Sequence, residues 1–401
     1  MRLVQRPQYL AWLNDWREKP VIKVVTGVRR CGKSTLFRLY IDSLLGRGVK
    51  PEQIVSINLE ELEYAQLSNS RELYAYLKAR LYDGGTTYVF IDEVQQCEGF
   101  ERAVDSLFVK GNVDVHITGS NAFLLSGELA TLLSGRYVQI EMLPLSFSEY
   151  CDFKGSSNAT MFRDYLRFGA FPAVAALGDD SALVRSYLDG IYNSILVKDV
   201  ARRENIADLG VLENIVKFLL SNIGSPVSLK KIADTLNAAG RTISVNTVDK
   251  YVRALCAAYV FYKCDRYDVK GKTLLKTQGK YYAVDSGIRE LLLASSASDI
   301  GHVLENAVYL ELLRRGGKVR IGKVAEKELD FVCETADGLA YYQVSATVLD
   351  EGTLKRELEP LQRITDNHPK YLLTLDEIPR SANYDGIRQM NVVDWLQGSR
   401  R

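Results

Sequence analysis

The chain has 401 residues, enough for two or three domains, and its 47% hydrophobic and 25% charged residues fit a globular protein with a sizeable core. The net charge of +1 says nothing by itself about partners, and there is no repeat, low-complexity tract or enrichment of Pro and Gly to suggest a repetitive or linker-like chain. No apolar run approaches the ~18 residues of a membrane helix, MRLVQRPQYLAWLNDW lacks a signal-peptide core, and six scattered cysteines with three histidines argue against a zinc site, so the expectation is a cytoplasmic protein with reduced thiols and no membrane contact.

In chain order, VIKVVTGV at 21–28 reads as a buried strand, followed by a helix from Lys33 to about Leu45. IVSINL at 54–59, YVFIDEV at 88–94 and VDVHITGS at 113–120 are further strands, with helices at 70–82 and 100–109 between them. This alternation implies a parallel sheet with helices on both faces. RYVQIEMLPL adds another extended piece, and the Ser–Glu capping box of SFSEYCDF opens a helix that closes a first domain, 1–153. A helical linker or lid follows at 154–207, interrupted at RFGAFPAV. Three helices at about 208–222, 228–239 and 244–258 precede paired strands, the order of a winged helix over 208–286. From 287 to 401 the expected order is helix, strand, strand, helix, strand, a second α/β unit.

GVRRCGKS at 27–34 matches GxxxxGK(S/T) between a strand and a helix. In such a loop the backbone N–H groups of Gly27, Val28, Arg29, Arg30, Cys31, Gly32, Lys33, Ser34 and Thr35 surround a β-phosphate at a helix N-terminus, whose dipole favours its charge. Lys33 would reach the β- and γ-phosphates of ATP, and the Ser34 hydroxyl would ligate Mg²⁺. YVFIDE puts Asp92 at the end of a central strand, where it can hold Mg²⁺, and Glu93 beside it to deprotonate water. Ser120 or Asn121, at the end of the next strand, senses the γ-phosphate or merely caps a turn. Arg29 and Arg30 either brace the loop against a carboxylate or project towards a neighbouring subunit or nucleic acid.

Together GVRRCGKST, YVFIDEVQ, ITGSNAFLL, LLSGRYVQIEMLPLSFSEY and YLRFGAFPAV resemble the AAA-family P-loop ATP-binding proteins of bacteria and archaea, in which an archaeal-ATPase-like domain precedes a restriction-endonuclease-like domain of unknown function. The resemblance continues through GHVLENAVYLELLRRG and KYLLTLDE. It implies a P-loop NTPase domain, a helical and winged-helix segment, and a C-terminal α/β domain of the PD-(D/E)xK type. It also implies that Ser120–Asn121 is the sensor position and that Arg6 lies near the base. Arg136 would meet the γ-phosphate, in its own subunit or across an interface of a homo-oligomer, or is a surface salt bridge.

Residues 211–282 hold twelve Lys/Arg against five Asp/Glu, a local +7, which makes DNA a candidate partner. SVNTVDKYVRAL places Val245, Val248, Val252 and Leu255 on one helical face and Asn246, Thr247, Lys250 and Arg253 towards the other, as a recognition helix requires. Lys270 and Lys272 would form a wing tip. The same features serve a packing or partner-protein module equally well. In the C-terminal unit, Glu305 takes the helix position of a PD-(D/E)xK site and Asp330 the first strand position, but Gln343 and Ser345 replace an acid and a lysine. An amide removes charge from the metal site and a serine cannot supply a cation, so the expectation is a degenerate nuclease. His302, beside Glu305, is expected to cap a helix or join the core rather than ligate a metal. The expected function is thus an Mg²⁺-dependent ATPase controlling its C-terminal half. The alternatives are a nucleotide-gated binding switch with negligible turnover, or an active nuclease.

Overall fold

The structure is a computed structural model that describes residues 3–122, 133, 135–177, 180–293 and 299–398. Part of the motif segments ITGSNAFLL and LLSGRY, residues 123–132 and 134, lies outside them. The chain forms two compact units, Met1–Pro144 with Ala257–Tyr259, and Leu145–Cys256 with Val260–Arg401.

The first unit is built on five strands, β1 (Ile22–Thr26), β2 (Ile54–Asn58), β3 (Thr87–Asp92), β4 (Val113–Gly119) and β5 (Tyr137–Glu141). All neighbours run parallel in the order β2-β3-β4-β1-β5. The three central strands are buried at every position, whereas the edge strands β2 and β5 are only partly buried. This is why β1, β3 and β4 read as continuous apolar runs: helices cover both faces of a parallel sheet. Helix α1 (Pro7–Asp15) precedes β1, and α2 (Lys33–Gly46), α3 (Ser70–Lys78) and α4 (Phe100–Phe108) lie between the strands in sequence. In α4 the spacing of Phe100, Ala103, Val104 and Leu107 makes one apolar stripe, and it packs into the sheet core. Charged and polar residues interrupt the apolar pattern, Lys23 in β1 and Asp114 and His116 in β4; Lys23 is fully buried and ion-paired with Asp114.

The second unit opens with α5 (Phe147–Lys154), where Ser146 and Glu149 form the expected capping box. That helix counts with this unit, so the compact first unit ends nine residues before the expected boundary at 153. Next come α6 (Ala159–Phe168), α7 (Pro172–Ala176), α8 (Ser181–Ser194), α9 (Leu209–Ser221), β6 (Pro226–Val227), α10 (Leu229–Ala238), α11 (Val245–Ala257), β7 (Phe261–Asp268) and β8 (Thr273–Ala283). Helices α12 (Ser286–Leu293) and α13 (Ile300–Arg314) lead to β9 (Lys318–Val324), β10 (Lys327–Thr335), β11 (Gly338–Val344), α14 (Glu351–Gln362), β12 (Lys370–Thr374), β13 (Ser381–Tyr384), β14 (Ile387–Asn391) and α15 (Val392–Gln397). A single nine-stranded mixed sheet runs β13-β14-β12-β11-β10-β9-β7-β8-β6. The hairpin β7–β8 therefore belongs to the same sheet as the C-terminal strands, joined through the parallel pairing of Arg266–Asp268 with Ile321–Lys323. After α13 there are three strands before the next helix rather than the two expected, and a closing hairpin β13–β14 follows.

The break at RFGAFPAV has a physical cause. Gly169 takes a left-handed φ of 85°, and an added Cβ would lie 2.1 Å from Asp285 Oδ1. That close approach lets buried Asp285 accept the Ala170 N–H at 2.6 Å and the Gly287 N–H at 2.9 Å, tying α6 to the start of α12.

Candidate active site

The phosphate loop follows β1 and opens α2. Gly27 has φ 144°, and a Cβ there would sit 2.2 Å from the Met142 carbonyl oxygen, so only glycine lets the chain leave β1 this closely beside the β5 exit. Gly32 caps α2 at φ 109°. The first N–H groups of α2 have no intrahelical acceptors and lie at its positive end. Val28 and Cys31 are buried, Thr35 is half-buried, and Ser34 is exposed at the head of the helix. Lys33 is buried, donating to the carbonyls of Gly27 at 3.0 Å and Val28 at 3.2 Å, with Glu93 Oε1 3.7 Å away. A cradle that excludes a Cβ, with a lysine held inside its own loop, fits a phosphate chain.

The parallel register carries Asp92 to the loop end of the sheet. Its carboxylate accepts from the hydroxyls of Ser34 and Thr118, and burial, the larger effect, still holds its pKa above the ordinary value. Ser34 and Asp92 are thus already joined, the pair expected to hold Mg²⁺. Glu93 has a left-handed backbone, φ 53°, and its N–H donates to Thr118 Oγ1 at 3.0 Å. Burial raises its carboxyl, but Lys33, the Gln95 amide, Arg29 and the Ser120 hydroxyl outweigh it and hold the group below its ordinary range. At neutral pH Glu93 is therefore ionised, as a base must be.

Ser120 Oγ accepts from Gln95 Nε2 at 3.3 Å, and buried Asn121 follows it directly. The Ser120 hydroxyl also bonds Glu93. Thr118 and Gln95 are the residues that sequence reasoning missed: one hides in an apolar strand, the other in a turn, and neither stands in a recognisable spacing.

The arginines divide. Arg29 pairs with Glu60 at 2.8 Å and is almost fully buried, whereas Arg30 is exposed with a left-handed φ of 68°. Arg6 lies beneath the loop, its guanidinium donating to the carbonyls of Leu143 at 2.6 Å and Cys31 at 3.3 Å. Arg136 is a correction to the expectation for its own chain. It precedes β5 at the level of Ile22, while the loop leaves β1 beyond Thr26, opposite Glu141. About five residues of strand at ~3.3 Å each separate them, beyond an arginine's reach. Instead Arg136 is 46% exposed and pairs with Asp105 of α4.

The second unit contains another buried cluster. Lys280 of β8, 3% exposed, places Nζ 2.9 Å from Glu305, 2.9 Å from Glu328 and 3.9 Å from Asp330. Burial alone would depress its ammonium, but the carboxylates outweigh that and hold it above its ordinary value. Burial, with Glu305 beside it, pushes Asp330 well above the usual carboxyl range. Gln343 accepts the Asp330 N–H at 3.3 Å and donates to Glu357 at 2.8 Å, while the Ser345 hydroxyl bonds the Thr347 carbonyl at 2.9 Å. His302 is exposed. Lys280, counted in sequence among the basic residues facing DNA, is a buried ion-pair partner instead.

On α11, Val248, Val252 and Leu255 are buried and Asn246, Lys250 and Arg253 exposed, with Thr247 half-buried. Val245 departs from the expected face, being 41% exposed as the first residue of the helix. Lys270 and Lys272 are exposed at the β7–β8 turn. Among the described residues no helix is long and apolar enough to cross a membrane.

Residues 19–151 match the model of a family described as an AAA domain, and residues 159–299 one described as a domain of unknown function, DUF8612. An uncharacterized protein of Haemophilus influenzae is 38% identical over 400 residues, which cover 98% of each chain. One from Methanocaldococcus jannaschii is 32% identical over 318 residues, 74% of this chain and 67% of its own. A Walker-type ATPase of Pyrococcus abyssi shares the fold with TM-score 0.51 at 15% identity, across 72% of this chain and 96% of that one.

Proposed function

We infer the function from one premise: the chain belongs to the same family as its Haemophilus influenzae relative, and its first unit carries an AAA domain of the P-loop ATPase class. It is an ATPase that uses Mg²⁺ and whose nucleotide state controls the winged-helix-like and nuclease-like second unit. The observation that supports this most is the meeting of Lys33, Ser34, Asp92 and Glu93 at one end of the parallel sheet. Loop N–H groups and Lys33 bind the phosphates, and Ser34 with Asp92 would hold Mg²⁺, which when bound neutralises phosphate charge. Glu93, kept ionised, takes a proton from the attacking water as the bond from the γ-phosphorus to its bridging oxygen breaks, leaving ADP and phosphate.

The test is steady-state phosphate release from ATP. Turnover in the natural chain that falls to background in Glu93→Gln is expected; equal background turnover in both would leave a nucleotide-gated binding switch as the better reading. For the second unit, the order α9-β6-α10-α11-β7-β8 and the exposed Lys250, Arg253, Lys270 and Lys272 support DNA contact, measurable as anisotropy of a labelled duplex. The order α13-β9-β10-β11-α14-β12 supports a PD-(D/E)xK-like shape. Lys280 sits among the carboxylates that such a site would use for metal, so we assign this part no cutting activity. Metal-dependent DNA cleavage abolished by Asp330→Ala would overturn that assignment.

A further inference from the structure

Glu93 ends β3 in a left-handed conformation, and the chain then makes one 3₁₀ turn, Val94–Gln96. The turn is closed by Gln96 N–H to the Glu93 carbonyl at 3.0 Å and Cys97 N–H to Val94 at 3.1 Å. It is anchored just beyond, where Glu98 donates to Ser68 at 2.8 Å and accepts from Ser70 at 3.1 Å. This geometry folds the side chain of Gln95 back over the carboxylate two residues before it. Gln95 Nε2 donates both to Glu93 Oε2 and to Ser120 Oγ. The other oxygen, Oε1, faces Lys33.

The amide is used at one end only. Gln95 Oε1 is buried and has no hydrogen-bond partner among the described residues, while Nε2 makes both bonds. The side chain is thus held by what its nitrogen donates to, the Glu93 carboxylate and the Ser120 hydroxyl.

We propose that Gln95 is a positioning residue for ATP hydrolysis: its amide clamps Glu93 Oε2 and Ser120, which leaves Oε1 as the oxygen that takes the proton from water. This rests on the ATPase reading. A phosphate in the loop competes for the Lys33 ammonium, and Gln95, together with the Ser120 hydroxyl it bonds, then keeps the carboxylate from rotating. Gln95 itself exchanges no proton and touches no phosphate.

The test compares the full chain with Gln95→Met, which keeps the shape and removes the amide, and with Gln95→Glu, which replaces the donor by a second carboxylate. Phosphate release, KM, affinity for a fluorescent ATP analogue and thermal stability are measured, with Glu93→Gln as the control. For Gln95→Met the expected result is a kcat about 10–100-fold lower, since a small misplacement of a catalytic group costs that much. KM and analogue affinity stay within about twofold, because Gln95 makes no phosphate contact, and the melting curve shows whether the variant is folded. Gln95→Glu loses at least as much activity. If the natural chain turns over, Glu93→Gln does not, and Gln95→Met keeps its kcat within about twofold, the role of Gln95 is overturned and the ATPase reading stands. If Gln95→Met is poorly folded, unchanged kcat in Gln95→Glu overturns it equally. Background turnover in the natural chain overturns both.

Discussion

One hydroxyl, that of Thr118, holds the two acidic residues of the phosphate site together. It donates to Asp92 and accepts the Glu93 N–H, and it is fully buried. Thr118→Val keeps the shape, removes both bonds and leaves the Glu93 N–H without its acceptor, a loss of about 1–3 kcal/mol. Phosphate release should fall by about 100-fold, with Thr118→Ser restoring most of it; a fully active valine variant would contradict this role. Asp285 supplies a pH dependence. Burial raises its carboxyl to about 6 from 3.8, against the N–H bonds of Ala170, Gly287 and Ile288. A folded-state pKa above the unfolded one means stability that is fully present below pH 3.8 and is lost as pH rises through about 6. Urea unfolding at pH 4 and pH 7 should show the natural chain losing on the order of 2 kcal/mol relative to Asp285→Asn, at 1.36 kcal/mol per pKa unit with a small part already lost at pH 4. Parallel pH profiles for the two proteins would rule this out. The residues of GVRRCGKS, Asp92 and Glu93 are legible in sequence because their chemistry depends on spacing along the chain. Thr118 and Gln95 are not, because their partners are set by strand register and by a left-handed turn. Arg136 shows the converse: a short motif suggests a role without showing which end of a strand it occupies.

Elements were legible where a single physical pattern governs them. The buried runs of β1, β3 and β4 and the stripe of α4 follow directly from two-sided and one-sided burial. Polar residues inside such runs were opaque, since Lys23 is explained only by Asp114 on a neighbouring strand. The same holds for β8, whose Lys280 finds Glu305 on α13 and Glu328 on β10. Removing the ammonium leaves buried carboxylates without a counter-ion, which costs about 3–5 kcal/mol. Lys280→Met should lower the urea midpoint of unfolding accordingly, and adding Glu305→Gln should recover part of the loss. A change below about 1 kcal/mol in the single variant would show that the cluster is not the pin between β8 and α13.

For the whole molecule, net charge conceals a local excess. A near-neutral chain can still bind DNA if its basic residues share a face, and then affinity must fall with salt. Lys250→Ala should weaken duplex binding and reduce the slope of log K against log salt by about 0.9, the signature of one lost phosphate contact. Arg253→Ala should matter less, because Asp249 already pairs with it at 2.6 Å. Binding that ignores both salt and these substitutions would exclude this face. Domain organisation was the least legible level, because strand pairing between distant segments leaves no local mark in sequence. A boundary at residue 286 separates a helix-and-hairpin order from a second α/β order on paper, yet Arg266–Asp268 of β7 pairs with Ile321–Lys323 of β9 across it. A chain cut there would leave β7 paired with β8 but strip it of β9, presenting an open row of N–H and C=O groups, a template for association with other chains. The helices and hairpin before residue 286 and the strands after it therefore close one another's open sheet edge, and each half shields the other from association with foreign strands.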